Sequence, residues 1–534
     1  VYNLKFINFS SSGGSGESGY EYAHINPNYL ILKSFYKIKS PENYSKINWT
    51  DPIIFQRMSS EEIVNIIELE KIDILCFALY VWTSSYSKTL MSLVKSRLPN
   101  IKIIVGGPDV YANIDDQYFE KYPFIDYAVY GDGESAFKEI LDSIVESREI
   151  SPTATNIITK TQRFDFKVFD DPVFKNVSPY IECKADLLNM MLDIFAEGYS
   201  SSDITIRYER ARGCPYNCSF CDWNSGLHNK VKRKTNDWKD EIDLILSLGT
   251  RIKVTDANWG LYKEDIDITR YIIENGGRFI PSAVAKLNKD RVFEIFDILV
   301  KRAVSENRKQ AFTIALQDID ENVLKNINRP EIPWADHKAM LVDFKNKYPN
   351  TALYYAELIV GLPGQTIDNF INQLHELKNT SFDGIYYAIW EFLPNSPAAK
   401  IEYQTQHNLE FKEFTVIQDG NVFNTIDDLN AAIKTGVDGY MITQRIVKTS
   451  SADFVDILIM YVMCVYYNQI AYDHTADEIR DILTKIYPKL RIEYEEHVKY
   501  MNTTGIFGLT SANHTGIMSI DQYCNKVATY DKYL

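Results

Sequence analysis

Arg212-Gly213-Cys214-Pro215-Tyr216-Asn217-Cys218-Ser219-Phe220-Cys221 gathers three of the chain's seven cysteines into eight positions, in a C-x3-C-x2-C arrangement. Thiolates are soft ligands that select zinc or iron–sulfur clusters. A structural zinc site wants four ligands. No fourth cysteine or near histidine completes this set, and His228 follows the flexible Asn224-Ser225-Gly226. Three thiolates on one short loop can instead hold three irons of a four-iron cluster, leaving the fourth iron open to a substrate or cofactor. A zinc knuckle or a set of buried cysteines is the alternative. Seven cysteines in 534 residues are too few for a disulfide framework, and their crowding points to metal binding in a reducing compartment.

Downstream, the loop opens a series of alternating strands and helices. The candidate strands are Ile204 to Tyr208, Arg251 to Thr255, Arg278 to Val284, Ala311 to Leu316, Ala352 to Val360 and Gly384 to Phe392. Six such units suit a partial or full α/β barrel with its active site at the strand C-termini. Upstream, Ser59 with Glu62 reads as a capping box ahead of Ile63, Ile66 and Ile67. Apolar strands Ile72 to Ala78, Ile101 to Val105 and Ile125 to Tyr130 alternate with helices Ser87 to Arg97 and Ala136 to Val145. That pattern predicts a doubly wound parallel sheet, with ligands beyond the carboxyl ends of its strands. Those ends carry Tyr80-Val81-Trp82-Thr83, Gly106-Gly107-Pro108-Asp109 and Gly131-Asp132-Gly133-Glu134, and no G-x-G-x-x-G fingerprint is present. Ser10 to Gly19 reads as a flexible loop or a close backbone approach to a ligand. After Lys400 the strand pattern ends, and Ala452 to Ala471 and Ala476 to Tyr487 read as helices. The expected division is 1–195, 196–400 and a mainly helical 401–534.

Acidic residues outnumber basic ones by 72 to 57, a net charge of −15, so no global attraction to nucleic acid or an anionic membrane is expected. Val1 to Ser10 lacks a basic region followed by an apolar one, and Phe454 to Tyr467 is short of the roughly 20 residues of a membrane span. The reading is a soluble, cytoplasmic protein with that segment as a buried helix.

The cysteine loop resembles that of radical S-adenosyl-L-methionine (SAM) enzymes in its spacing, its place after the first barrel strand and its aromatic Phe220. The resemblance implies a 4Fe-4S cluster on Cys214, Cys218 and Cys221, whose open iron chelates the amino and carboxylate groups of SAM. Reductive cleavage then gives a 5′-deoxyadenosyl radical that abstracts hydrogen. Further contacts are implied at Phe220, at Asp256 and Asn258 after the second strand, at Gln317 after the fourth, and at Gly361 in Gly361-Leu362-Pro363-Gly364. Each of these later segments also reads as an ordinary strand end.

Residues 20 to 145 resemble the N-terminal domain of cobalamin-dependent radical SAM enzymes, with Tyr80, Val81, Trp82, Gly106, Gly107, Pro108, Gly131, Gly133 and Glu134 as the implied corrin contacts. A nucleotide site and a vestigial layer are the competing readings. The D-x-H-x-x-G motif of the wider cobalamin-binding family is absent, since His24 is the only histidine before residue 200. Trp82 is therefore expected to face the lower side of the corrin and leave the metal without a protein ligand, unless it is a core tryptophan.

The resemblance implies a transferase: a radical SAM C-methyltransferase that methylates an unactivated carbon of a peptide or small-molecule natural product through methylcobalamin, with flavodoxin or ferredoxin as electron donor. Segments around Asp256 and Gln317 are similar to those of enzymes that modify ribosomally made peptides. The alternative is a peptide epimerase, with Cys76, Cys183, Cys464 or Cys524 as hydrogen donor. Lys230-Val231-Lys232-Arg233-Lys234 reads as a solvated basic loop, Glu357 and Glu391 as barrel-mouth or structural acids, and Tyr461, Tyr466 and Tyr467 as groove or core.

Overall fold

Apolar runs separated by helices become parallel strands because each strand is covered on both faces. The computed structural model describes residues 1–9, 23–53, 59–112, 114, 116–224, 231–281, 289–329, 333–380, 382–417, 440–465, 475–481 and 484. Before residue 160 it has β1 (Tyr2–Ile7), β2 (Ala23–Ile25), β3 (Ile47–Trp49), β4 (Ile74–Ala78), β5 (Lys102–Gly106), β6 (Tyr127–Val129) and β7 (Ile157–Thr159). Six of them form one sheet in the order β3-β1-β4-β5-β6-β7, parallel except for β7. Leu75, Phe77, Ile103 and Val105 fill the core on one face, Ile74, Cys76 and Ile104 that on the other. Ser59 and Glu62 form the expected capping box on helix Ser60–Leu69.

β1 was not anticipated, because Asn3 and Lys5 interrupt its apolar run. Lys5 is nevertheless buried, with its ammonium 2.7 Å from Glu70. β2 departs further: it leaves the first sheet and lies parallel to a barrel strand.

The barrel follows the expected strands closely. β8 (Ile204–Tyr208), β11 (Arg251–Val254) and β12 (Arg278–Ile280) join β2 in the parallel order β12-β11-β8-β2. Between β8 and β11, the short antiparallel pair β9 (Ala211–Arg212) and β10 (Lys232–Arg233) brackets the cysteine loop. β13 (Gln310–Gln317), β14 (Ala352–Val360) and β15 (Gly384–Ile389) form a second parallel sheet. Six strand–helix units thus build a partial (β/α)6 barrel. The expected end of the third strand at Val284 lies outside the described residues.

The region after Lys400 is not free of strands. β16 (Glu410–Ile417) and β17 (Tyr440–Lys448) form an antiparallel hairpin. It is sewn to the end of the barrel, where Phe392 N donates to the Gln444 carbonyl (2.7 Å) and Ile446 N to that of Trp390 (3.0 Å). The polar Glu410, Lys412 and Glu413 hid the alternation. Helix Phe454–Val465 packs on β14, β15 and β17 as the expected buried helix; the expected helical continuations to Ala471 and Tyr487, with Ser10 to Gly19, lie outside the described residues. No helix among the described residues is long and apolar enough to cross a membrane.

Candidate active site between the two sheets

Cys214 and Cys218 are buried and Cys221 is half-buried, on a loop held from three directions. Ser219 N donates to the Ile327 carbonyl (2.9 Å), and the Ser219 carbonyl accepts from Ala398 N (3.0 Å). The Tyr403 hydroxyl reaches both Ser219 Oγ and the Asn326 carbonyl at 2.8 Å. Phe220 is half-buried against the core, 5.9 Å from the Arg329 guanidinium. Burial, with Asp222 and the other two cysteines nearby, pushes the Cys221 thiol up to about 12. A metal cation in place of the protons reverses that preference. Among the described residues no three His, Cys, Asp or Glu side chains converge as single-ion ligands do. A cuboidal cluster makes a different demand, because each thiolate takes its own iron.

Asp256 and Asn258 both serve this loop. Asp256 accepts from the backbone N–H of Arg210 (2.8 Å) and from that of Ala211, fixing the chain just before the cysteines; burial pushes its carboxyl up to about 7. Asn258 Nδ2 donates to Cys214 Sγ at 3.2 Å. Gln317 sits at a register shift between β13 and β14 with φ of +64°, and its buried Oε1 has no partner, an acceptor left for a ligand. Gly361 has a packing cause: a Cβ there meets Ile446 Cγ2 of β17 at 2.5 Å, and its φ is +91°.

A cavity of about 660 Å³ lies between the two sheets. One wall comprises every strand-end residue singled out in the first domain: Tyr80, Val81, Trp82, Gly106, Gly107, Pro108, Gly131, Gly133 and Glu134. The opposite wall contains Gly213, Asp222 and Trp223 of the cysteine loop and Arg207, Glu209 and Thr255 of the barrel. Sequence reasoning missed a third side, Phe392 to Asn395, which lacks any motif. Asn395 Nδ2 donates to the carbonyls of Pro108 and Val110 at 3.0 Å each, tying it to the first domain.

Trp82 is 37% exposed at the cavity, so it is not a core tryptophan. Its ring stacks on Tyr80 with centroids 4.9 Å apart, and the Tyr80 hydroxyl accepts from Asn28 Nδ2 at 2.8 Å. Gly107 has φ of +105°, and an added Cβ meets the Leu79 carbonyl oxygen at 2.6 Å. Gly107→Ala is expected to cost about 2 kcal/mol or more through backbone strain at that φ, checked by urea unfolding.

Arg212 closes the cavity between the domains. Its Nη1 lies 2.8 Å from both Asp132 Oδ1 and Glu134 Oε1, while Nε and Nη2 hold Glu209 at 2.8 and 2.9 Å. Lys232 also pairs with Asp132. The expected solvated basic loop is therefore corrected: Lys232 and Lys234 are buried, one on Asp132 and the other 5.8 Å from the rings of Phe174 and Tyr180. Arg233 pairs with Glu264 and Asp265; Lys230 and His228 lie outside the described residues.

Glu134 Oε2 is buried without a partner in this wall. A corrin, fringed with primary amides, would supply such donors, and no histidine is among the described cavity residues. Glu391 is a structural acid, 3.0 Å from Arg445 Nη2, whereas Glu357 is exposed. Cys76, Cys183 and Cys464 are buried. Tyr461 packs edge-on to Tyr387; Tyr466, Tyr467 and Cys524 lie outside the described residues.

A family model for the B12 binding domain matches residues 49–141, and one for the radical SAM superfamily matches residues 208–377. Over 349 residues the chain is 28% identical to the cobalamin-dependent radical SAM methyltransferase TokK of Streptomyces tokunonensis, covering 63% of this chain and 49% of TokK. It is also 28% identical over 342 residues to a 2-(S-pantetheinyl)-carbapenam-3-carboxylate methyltransferase of Streptantibioticus cattleyicolor, covering 61% and 48%. The chain spans about half the length of these two relatives. The fold is that of OxsB, solved with aqua-cobalamin and SAM (TM-score 0.56, 12% identity, 99% of this chain and 79% of that one). TsrM of Kitasatospora setae, solved with cobalamin and a 4Fe-4S cluster, is also similar (TM-score 0.53, 12% identity, 83% and 84%). A 4Fe-4S cluster, SAM and cobalamin are the cofactors these two domains imply.

Proposed function

We propose, for a chain that joins a B12-binding domain to a radical SAM domain, that it is a cobalamin-dependent radical SAM methyltransferase acting on an unactivated carbon of a peptide or other small natural product. The observation that carries this reading is the shared cavity, walled on one side by the glycine-rich strand ends and on the other by the cysteine loop. When bound, the cofactors supply a carbon-centred radical from SAM and a transferable methyl group.

The chain's own residues hold and orient. Cys214, Cys218 and Cys221 are the cluster ligands, with Asn258 donating to the Cys214 sulfur and Asp256 holding the backbone before it. Gln317 offers its unpartnered acceptor to SAM. Gly106, Gly131 and Gly133 leave the first wall without side chains, which a flat ring would use, whereas Gly107 is required by its backbone approach to Leu79; Glu134 Oε2 would accept from the ring's periphery. With cofactors and substrate filling the cavity, the two walls would shield a reactive radical from water, and an external reductant is required.

Trp82 stands where a histidine ligand is missing. Its indole nitrogen is a donor with no coordinating lone pair, so against a corrin it would shield one face without binding the metal. In cobalamin-loaded Trp82→Ala, water reaches that face, and the absorption bands and paramagnetic signal are expected to shift. Unchanged spectra refute this placement.

The test of the whole reading is anaerobic reconstitution with iron, sulfide and a corrinoid, followed by SAM with a deuterated methyl group and a reductant. Corrin and cluster bands together, with the label found in the product of candidate peptides or small acids, support it. Cluster absorption without corrin, combined with deuterium uptake from heavy water, supports the epimerase instead.

A further inference from the structure

On β8, β11 and β12 the alternation of side chains separates two faces. Ile206, Tyr208, Ile252, Val254 and Phe279 are buried outward against the helices. The intervening positions face the inside of the barrel, and there Arg207, Arg251, Lys253 and Arg278 are basic, with Thr205 and Ile280 the exceptions. Arg207 and Lys253 are direct partners across the β8–β11 ladder. One step lower, Arg251 of β11 pairs with Arg278 of β12, and both guanidinium groups approach the Ser202 carbonyl, at 3.1 and 3.4 Å. His24 of the unanticipated β2 lies beside Thr205 on the same face.

Among the described residues, counter-charge on this wall is scarce: Asp203, before β8, offsets Arg251 and Arg278 and accepts from Ser200 N at 2.9 Å. Glu209 is the carboxylate on the same face of β8, but both its oxygens are engaged by Arg212. Glu357 stands on the inner face of β14, in the sheet that has no ladder to β8 or β11. Lys253 is half-buried and, among the described residues, its ammonium makes no hydrogen bond or ion pair. His24 is buried with an unpartnered Nδ1. Burial, then Arg207, Lys253 and Arg251, hold its imidazole down at about 3, and burial with Arg207 lowers Lys253. Cations gathered this closely repel one another, and an anion among them relieves the repulsion. The wall is reachable, because Arg207, Asn26 and Thr255 line the cavity between the domains.

Resting on the methyltransferase reading above, we propose that Lys253 and Arg207 bind an acidic group of the substrate, a carboxylate or phosphate, inside the barrel. The guanidinium presents a fork to two oxygens and the ammonium a third donor, while neutral His24 offers a further polar contact. The substrate class is therefore a small acid or an acidic residue of a peptide.

Inorganic phosphate is the probe, titrated into cofactor-loaded protein at constant ionic strength and followed by calorimetry and by melting temperature. The unmodified protein is expected to bind it saturably and to melt higher in its presence. Lys253→Gln is expected to weaken binding about tenfold or more and to lose the phosphate-dependent rise in melting temperature, while Lys253→Arg restores both. Without phosphate, Lys253→Gln melts no lower than the parent, since it removes a repelled cation; Arg207→Gln gives an independent second variant. Equal phosphate affinity in parent and Lys253→Gln, or no saturable binding by the parent, overturns the proposal. So does a loss of corrin absorbance in Lys253→Gln, which assigns the anion to the corrin's nucleotide phosphate, or a loss of SAM binding alone, which assigns it to the methionine carboxylate. Corrin and cluster bands of the parent test the methyltransferase reading separately: their absence with phosphate binding intact sinks that reading and leaves the anion site standing.

Discussion

Alanine at Cys214, Cys218 or Cys221 strips the reconstituted protein of its iron–sulfur absorbance and takes SAM cleavage to the background of the iron-free chain. On the proposed reading each thiolate would hold a different iron, so two remaining sulfurs could not complete the cube, and the open iron that would chelate SAM would be lost with it. The loop itself survives, because Ser219 and Tyr403 anchor it independently of the sulfurs. Melting temperature in the absence of iron should therefore stay close to that of the parent. Cys183→Ala and Cys464→Ala, at buried cysteines outside the loop, keep the full iron and sulfide content. Asn258→Ala falls between: the hydrogen bond to Cys214 Sγ is lost, and cluster affinity drops about 10- to 100-fold, the usual effect of removing a group that orients a ligand. Iron and sulfide analysis decides the matter. An alanine variant that retains four irons, or a parent that takes up stoichiometric zinc and no iron, refutes the assignment.

Arg212→Met is the second large effect. Burial alone would raise the Glu209 carboxyl, but Arg212 overcomes that and holds it below the ordinary range; Glu134, equally enclosed and beside Asp132, is pushed above it. Removing the guanidinium leaves buried Asp132 and Glu134 and half-buried Glu209 with only Lys232 and Lys234 to oppose them, and breaking such a network by deleting one partner costs about 3–5 kcal/mol. The loss joins the two domains' fates, because Asp132 and Glu134 belong to one and Glu209 to the other. Urea unfolding should show a lower midpoint and an earlier loss of the cobalamin site. Adding Glu134→Gln and Glu209→Gln to Arg212→Met removes the stranded charges and should recover a substantial part of the stability. A midpoint unchanged in Arg212→Met refutes the role of the network.

Much of this was readable from local pattern. The cysteine spacing lies within one loop, and the glycines at the ends of β5 and β6 sit where strand-to-helix turns bring them to a common edge, so neither needed a distant partner to be recognised. The burial of Lys232 and Lys234 was not readable, because it depends on Asp132, about a hundred positions earlier, and on two aromatic rings. Gly361 resembled a ligand contact, yet its lack of a side chain also admits Ile446 from a hairpin that polar residues disguised. Asn395 carries no motif and reached the cavity through the fold alone. Least visible of all was β2, three residues long and preceded by Ser and Gly, whose partner lies about 180 positions away.

That small strand makes the molecule interleaved rather than modular. A fragment starting at residue 196 would shed the edge neighbour of β8 and expose a bare row of amides and carbonyls, a template for intermolecular pairing. The amino-terminal half, made alone, would carry an orphaned ribbon with nowhere to dock. Neither piece is a natural unit for expression, and exchange of parts with a sister enzyme must carry Ala23–Ile25 along with the barrel it completes.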